Sequence, residues 1–165
     1  MLQSVPSFVY YFESIRRRTL AYANAIPADK AGWTPQVGEY TCSDIVRHLA
    51  AAEVMFVGAV VEGKWRYAGH AAGSEASLAA AIVQLEETHL AAMKQLHDLS
   101  DAALNESRLA LNGPPVKAWR LLMAMVEHEI HHRSQLAVYL TLMGVTPPHI
   151  FGLGVEEVMV LARDE

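Results

Sequence analysis

The chain has 165 residues, 52% of them hydrophobic and 19% charged, with a formal net charge of −5 and a single cysteine, Cys42. That length suits one domain over residues 1–165, able to bury roughly 68–70% of its unfolded surface without disulfide support. The acidic balance excludes a general nucleic-acid binder, and no run approaches ~18 uninterrupted apolar residues, which excludes a membrane-spanning helix.

Arg16, Arg17 and Arg18 follow the N-terminal apolar run instead of preceding it, the reverse of a signal peptide. A cytoplasmic protein is expected. The lone cysteine agrees with a reducing compartment and reads as a small buried hydrophobe. The arginine run reads as a solvated helix face.

Residues 5–25 carry Phe8, Phe12, Ile15 and Leu20 at helical spacing, and Pro27 ends the segment. A loop through Trp33, Pro35 and Gly38 follows. Thr41 and Asp44 resemble a capping box, with Asp in place of the usual Glu or Gln, and open a second helix that runs to Glu62. Gly63 stops it. Residues 63–74 form a glycine-containing connector, and 75–99 a third helix rich in Ala and Leu. Residues 101–113 are irregular, with an extended piece expected at 108–111. Pro114 and Pro115 suit the first turn of a fourth helix, where missing N–H groups cost little. That helix runs to Met143, with Gly144 at its C′ position. A short helix is expected at 155–163.

No segment alternates like a strand, so the fold class is all-α, a four-helix bundle with a short C-terminal helix. The connector at 63–74 can stretch roughly 40 Å, at about 3.3–3.6 Å per residue. The second helix is about 30 Å long at ~1.5 Å per residue. The connector can therefore cross the bundle's length and start helix three parallel to helix two.

Histidines single out one region. In VEHEIHHRSQL, a turn of about 100° per residue puts His132 some 40° from His128 and in one seam with Leu121, Met125, Tyr139 and Met143. His131 lies on the flank. Imidazoles at i and i+4 reach a common ion, since their Cβ atoms lie ~5–6 Å apart. A hydrogen-bonded pair of core histidines is the alternative. His48, in IVRHLAAAE, shares the buried stripe of helix two with Ile45, Ala52, Met55 and Ala59, so it too needs a polar partner. It lies about 10 Å into helix two, and His132 about 16 Å from the end of helix four. If those helices run antiparallel, the three imidazoles meet at one height. Three ligands and an open position is the arrangement of a catalytic zinc. His70, His89, His97 and His149 read as surface or structural.

His128-Glu129-Ile130-His131-His132 also fits H-E-x-x-H, the zincin signature. That reading makes Glu129 the general base of a peptidase, with Glu156 or Glu157 as third ligand. It leaves His48 unexplained and finds no sheet edge for a peptide. In the plainer alternative, Glu129 pairs with Arg133 on the surface at i,i+4.

The HLAAAE segment at 48–53, HEIHHRSQL at 128–136, the Trp33-Thr-Pro loop and the YLTLMG ending of helix four together resemble the DinB/YfiT-like superfamily of metalloenzymes. The resemblance implies an up-down-down-up bundle with a long crossover, a metal held by His48, His128 and His132, and often a homodimer. The family name does not imply DNA binding. Relatives include transferases and isomerases that use low-molecular-weight thiols, and the fold alone does not select among chemistries. All-nitrogen ligation suits zinc or nickel, with copper or iron also compatible. The expected function is activation of a small thiol for S-transfer on a small-molecule substrate. Hydrolysis by metal-bound water and a non-catalytic metal-binding module are the alternatives. No catalytic residue beyond the ligands is identified.

Overall fold

Five α-helices follow in chain order: α1 (Val5–Asn24), α2 (Cys42–Val61), α3 (Leu78–His97), α4 (Ala118–Leu142) and the short α5 (Val155–Leu161). They come from a computed structural model that describes residues 4–70 and 77–162.

Each boundary has a local cause. Ser4 caps α1 by accepting from the Ser7 N–H. At α2 the capping box forms in full. Thr41 Oγ1 accepts from the Asp44 N–H (3.1 Å), and Asp44 accepts from the Thr41 N–H (3.0 Å). Gly63 and Gly144, at φ +69° and +77°, take the left-handed position that ends α2 and α4.

Two expected helix starts are corrected. The third helix begins at Leu78, with the Ser77 side chain accepting from the Ala80 N–H, and ends at His97 rather than Leu99. Glu75 and Ala76 lie outside the described residues. Pro114 and Pro115 do not enter α4. Instead β2 (Val116–Lys117) pairs antiparallel with β1 (Ser107–Arg108), and α4 starts after it. Pro115 disfavours helical backbone at the residue before it, and the β-branched Val116 stays extended. The extended piece expected at 108–111 is this strand, shifted to 107–108. The C-terminal helix ends at Leu161; residue 163 lies outside the described residues.

Helix directions follow from two apolar clusters. One gathers Phe8 and Phe12 of α1, Val57 and Val60 of α2, Met93 and Leu96 of α3, and Leu122 of α4. The other gathers Tyr22 of α1, Ile45 of α2, Leu78 and Leu85 of α3, and Leu136 and Leu140 of α4. The first therefore holds the start of α1 and α4 and the end of α2 and α3. The order is up-down-down-up, with α2 and α3 parallel and α2 and α4 antiparallel.

A polar layer lies between the clusters, with one residue from each long helix. Arg16 of α1 bonds Glu53 of α2 (2.8 Å) and Glu129 of α4 (3.0 Å); Glu53 also bonds Nδ1 of His89 on α3 (2.8 Å). All four are buried. Arg16 is thus part of the interior, not of a solvated face. Burying a guanidinium is tolerated here because two carboxylates meet it.

Candidate metal centre

His48, His128 and His132 come together in the α2–α4 groove, each offering a ring nitrogen within 4.8 Å of the others. The antiparallel pairing of α2 and α4 brings them to one height, as their positions along the helices predict. Nε2 of His48 lies 2.9 Å from Nε2 of His128, and the ring centroids of the trio are 4.5–4.8 Å apart. Zinc–nitrogen bonds of about 2.0–2.1 Å in a tetrahedron space nitrogens ~3.3 Å apart. The His48–His128 pair lies within a few tenths of an ångström of that spacing and all three nitrogens lie within 4.8 Å of one another, so the all-imidazole donor set suits one ion after side-chain adjustment.

Hydrogen bonds outside the trio fix how the rings present themselves. His132 Nδ1 lies 2.6 Å from the Gln135 amide oxygen. That oxygen can only accept, so Nδ1 carries the proton and Nε2 keeps its lone pair. His48 Nδ1 meets the Tyr67 hydroxyl at 2.6 Å, and that hydroxyl is 3.3 Å from His70 Nδ1. Such partners orient metal-ligating imidazoles. Arg47 anchors this side by bonding Asp44 (2.6 Å) and the His70 carbonyl (3.0 Å), which holds the connector over His48.

Electrostatics keep the trio neutral. Burial, then the neighbouring imidazoles His132 and His70, push His48 down to about 4. Burial with His132, His48 and His131 pushes His128 down to about 3. Burial also lowers His132, with the Gln135 bond opposing and His131 adding to it. At neutral pH all three are free bases, the form that ligates a cation.

The peptidase arrangement is not assembled. Glu129 points away from the trio into the core, where Arg16 holds it. Neither Glu156 nor Glu157 joins the histidines; Glu157 instead accepts from the Gly154 N–H (2.6 Å). The surface pair of Glu129 with Arg133 does not form either: both residues are buried, and Glu129 bonds Arg16 instead. Sequence reasoning missed Tyr67, His70 and Gln135. Gln135 was open to discovery, since it lies three residues after His132 on one helix, whereas Tyr67 and His70 reach the site from a connector without periodicity.

Trp33 and Tyr40 occupy the end where α2 begins. Trp33 packs edge-on against Tyr139 (5.3 Å between centroids), closing the bundle. Tyr40 packs at a tilt against His48 (5.5 Å between centroids) and His70 (4.3 Å), on the rim of the histidine site. His131 is exposed, as its flank position implies, and His97 and His149 are also exposed. His89 belongs to the polar layer. Cys42 is buried, and burial raises its thiol to about 11, so it is no nucleophile at neutral pH.

An up-down-down-up bundle with a histidine trio between α2 and α4 defines a class of helical proteins built around a metal-type donor set. The chain belongs to the DinB family, whose model matches residues 1–163. Among solved structures it is similar to the DinB-like protein YjoA of Bacillus subtilis, at 27% identity and a TM-score of 0.70 over 85% of this chain and 93% of that one. It is also similar to YfiT of Bacillus subtilis, described as a probable metal-dependent hydrolase with an unusual four-helix bundle topology. That match has 17% identity and a TM-score of 0.67, over 86% of this chain and 89% of that one. A mycothiol-dependent maleylpyruvate isomerase shares the fold at 17% identity and a TM-score of 0.62, over 80% of this chain and 60% of that one. No curated protein matches the chain. No helix among the described residues is long and apolar enough to cross a membrane.

Proposed function

We propose that the chain is a divalent-metal-dependent enzyme in which His48, His128 and His132 hold one ion, zinc or nickel, and a small thiol is activated for S-transfer. The observation that carries this reading is the trio itself: three neutral imidazoles aimed at one point, with Gln135 fixing the His132 tautomer. A bound ion supplies the positive charge that lets a thiol or a water lose its proton near neutral pH.

The residues around the trio favour the thiol. Hydrolysis is helped by a carboxylate base at the site, and the adjacent Glu129 is turned into the core and held by Arg16. Burial, reinforced by Tyr40, raises the Tyr67 hydroxyl, so it stays protonated and orients His48 without taking a proton from substrate. A thiol needs no such base, because its proton can pass to solvent. The thiolate sulfur then bonds an electrophilic carbon as the leaving group departs with its electron pair. The neighbour described as mycothiol-dependent supports this choice, and the one described as a probable hydrolase supports the alternative.

Cobalt-substituted protein discriminates the two. Adding a small thiol should produce a sulfur-to-metal charge-transfer band that is lost in His132→Ala. Metal-dependent hydrolysis of activated esters, with no thiol effect on the spectrum, would replace transfer by hydrolysis. A metal-free protein that unfolds would instead favour a non-catalytic module. The exposed side chains of Tyr10 on α1 and Leu90 on α3 also support a homodimer through those helices. Sedimentation at micromolar concentration should show two copies, and monomer alone contradicts it.

A further inference from the structure

Beyond the histidines, toward the end where α4 begins, the α2–α4 groove opens into a cavity of about 300 Å³. Met55 and Phe56 of α2 and Ala124 of α4 border it, with Trp65 and Leu111 from the two connectors and Arg120. The cavity continues the groove that holds the trio. Met55 follows His48 by two helical turns on the same face, and Ala124 precedes His128 by one turn. Phe56 belongs to both places: it lines the cavity, and its ring centroid is 5.7 Å from that of His128.

The walls are fixed by bonds unrelated to the histidines. Trp65 Nε1 donates to the Leu109 carbonyl (2.8 Å), tying one connector to the other. Arg108 Nε donates to the Val60 carbonyl (2.7 Å), tying the second connector to α2. A concave, largely apolar space with one arginine at its edge and held walls has the make-up of a small-molecule site.

Arg120 gives the cavity its selectivity. Among the described residues it is the only charged one that lines the cavity, and no carboxylate among them pairs with it. Its guanidinium rests instead on the Trp119 ring, 5.4 Å from the centroid. The arginines beside Tyr67 differ: Arg47 pairs with Asp44 and Arg66 with Glu62. Arg120 is exposed, so its guanidinium meets solvent and Trp119 and no protein carboxylate competes for it, which leaves it open to a ligand carboxylate at the cavity's edge.

We propose that this cavity binds the organic part of the substrate, an apolar aromatic or branched group ending in a carboxylate that Arg120 meets, with the reactive end directed along the groove to the histidines. The assignment of the reactive end rests on the metal-enzyme reading; the cavity's ligand preference does not. The probe is 3-phenylpropionate, titrated by calorimetry and by NMR into metal-free and zinc-loaded protein. It should bind both forms and shift the Trp65 indole resonance. Arg120→Gln should weaken it about tenfold or more, the loss of one charge-assisted bond. Ala124→Leu should do the same by filling the cavity, while circular dichroism and zinc content stay as in the parent protein. The neutral 3-phenylpropanamide should bind about as weakly as the acid binds Arg120→Gln. Absence of saturable binding, unchanged affinity in both variants, or equal affinity for acid and amide overturns the proposal. If zinc fails to bind while the probe still follows Arg120 and Ala124, the metal-enzyme reading falls and the pocket stands.

Discussion

Two polar clusters share the bundle, and adjacent residues of α4, His128 and Glu129, belong one to each. In the central layer, Arg16, Glu53, His89 and Glu129 answer one another across four helices. In the groove, His48, His128 and His132 bring ring nitrogens together, with His48 Nε2 against His128 Nε2 and no carboxylate among the converging groups. The first cluster joins a guanidinium to two carboxylates through Arg16 Nη2, with Arg16 Nε and Nη1 and Glu129 Oε1 buried and unpartnered; the second is an all-imidazole set. The comparison separates what polar residues do for a fold from what they do for a site. A buried charge that finds its partners joins helices, whereas a convergent set of neutral bases offers donor atoms to a cation.

Breaking the central layer should have the largest effect on stability. Glu53→Ala leaves Arg16 with one carboxylate and His89 with none, and should cost about 3–5 kcal/mol, as for removal of one partner from a buried pair. Replacing Arg16, Glu53 and Glu129 together by Met, Leu and Leu should cost less than Glu53→Ala alone, because no charge is stranded. Urea midpoints decide it. A change under about 1 kcal/mol for Glu53→Ala would mean that the layer contributes little to the fold.

The groove should respond in metal affinity more than in stability. Gln135→Leu frees the His132 tautomer and should weaken zinc binding by about 10–100-fold, the usual scale for loss of a ligand's orienting partner. His131→Ala should change affinity less than about threefold, since that ring sits on the flank. Competitive titration with a chelator measures both. Equal effects at positions 131 and 135 would contradict the ordered donor set.

Acid should expose the contrast next. His48 and His128 sit at about 4 and about 3 in the folded protein, below the ordinary histidine value of 6.5. Between those values the unfolded chain binds more protons than the folded one. The metal-free protein should therefore lose stability as pH falls from 6.5 toward 4, with no contribution from these two groups above 6.5. Zinc affinity should fall by no more than the release of one proton from pH 7.5 to 5.5, because no proton must leave the His48 or His128 ring and only His132 can contribute. Calorimetry at the two ends of that range measures it, and a steeper fall with acid contradicts the lowered values.

The two clusters also differ in how well the sequence announces them. The trio was legible because i,i+4 spacing and depth along two helices are local quantities, as was the capping box at Thr41 and Asp44. The central layer was not: Arg16 read as solvated and Glu129 as a base or a surface partner of Arg133. A charged residue is exposed by default, and what buries these four is on other helices. A trace of them exists all the same. Arg16, Glu53, His89 and Glu129 each lie four residues after a buried apolar residue of their own helix, Phe12, Leu49, Leu85 and Met125. Four such positions on four stripes mark a shared layer. The start of α4 was hidden for another reason, because paired prolines suit a helix start and a turn before a strand equally, and only Ser107 and Arg108 opposite Val116 and Lys117 decide between them.

The most direct test of the account is the zinc content of purified protein loaded with one equivalent and desalted, compared with the double variant His128→Ala, His132→Ala. About one ion per chain in the parent and none in the variant is the expected result, with the variant still helical by circular dichroism because neither ring belongs to the central layer. Undiminished zinc in the double variant, or none in the parent, contradicts a metal centre at His48, His128 and His132.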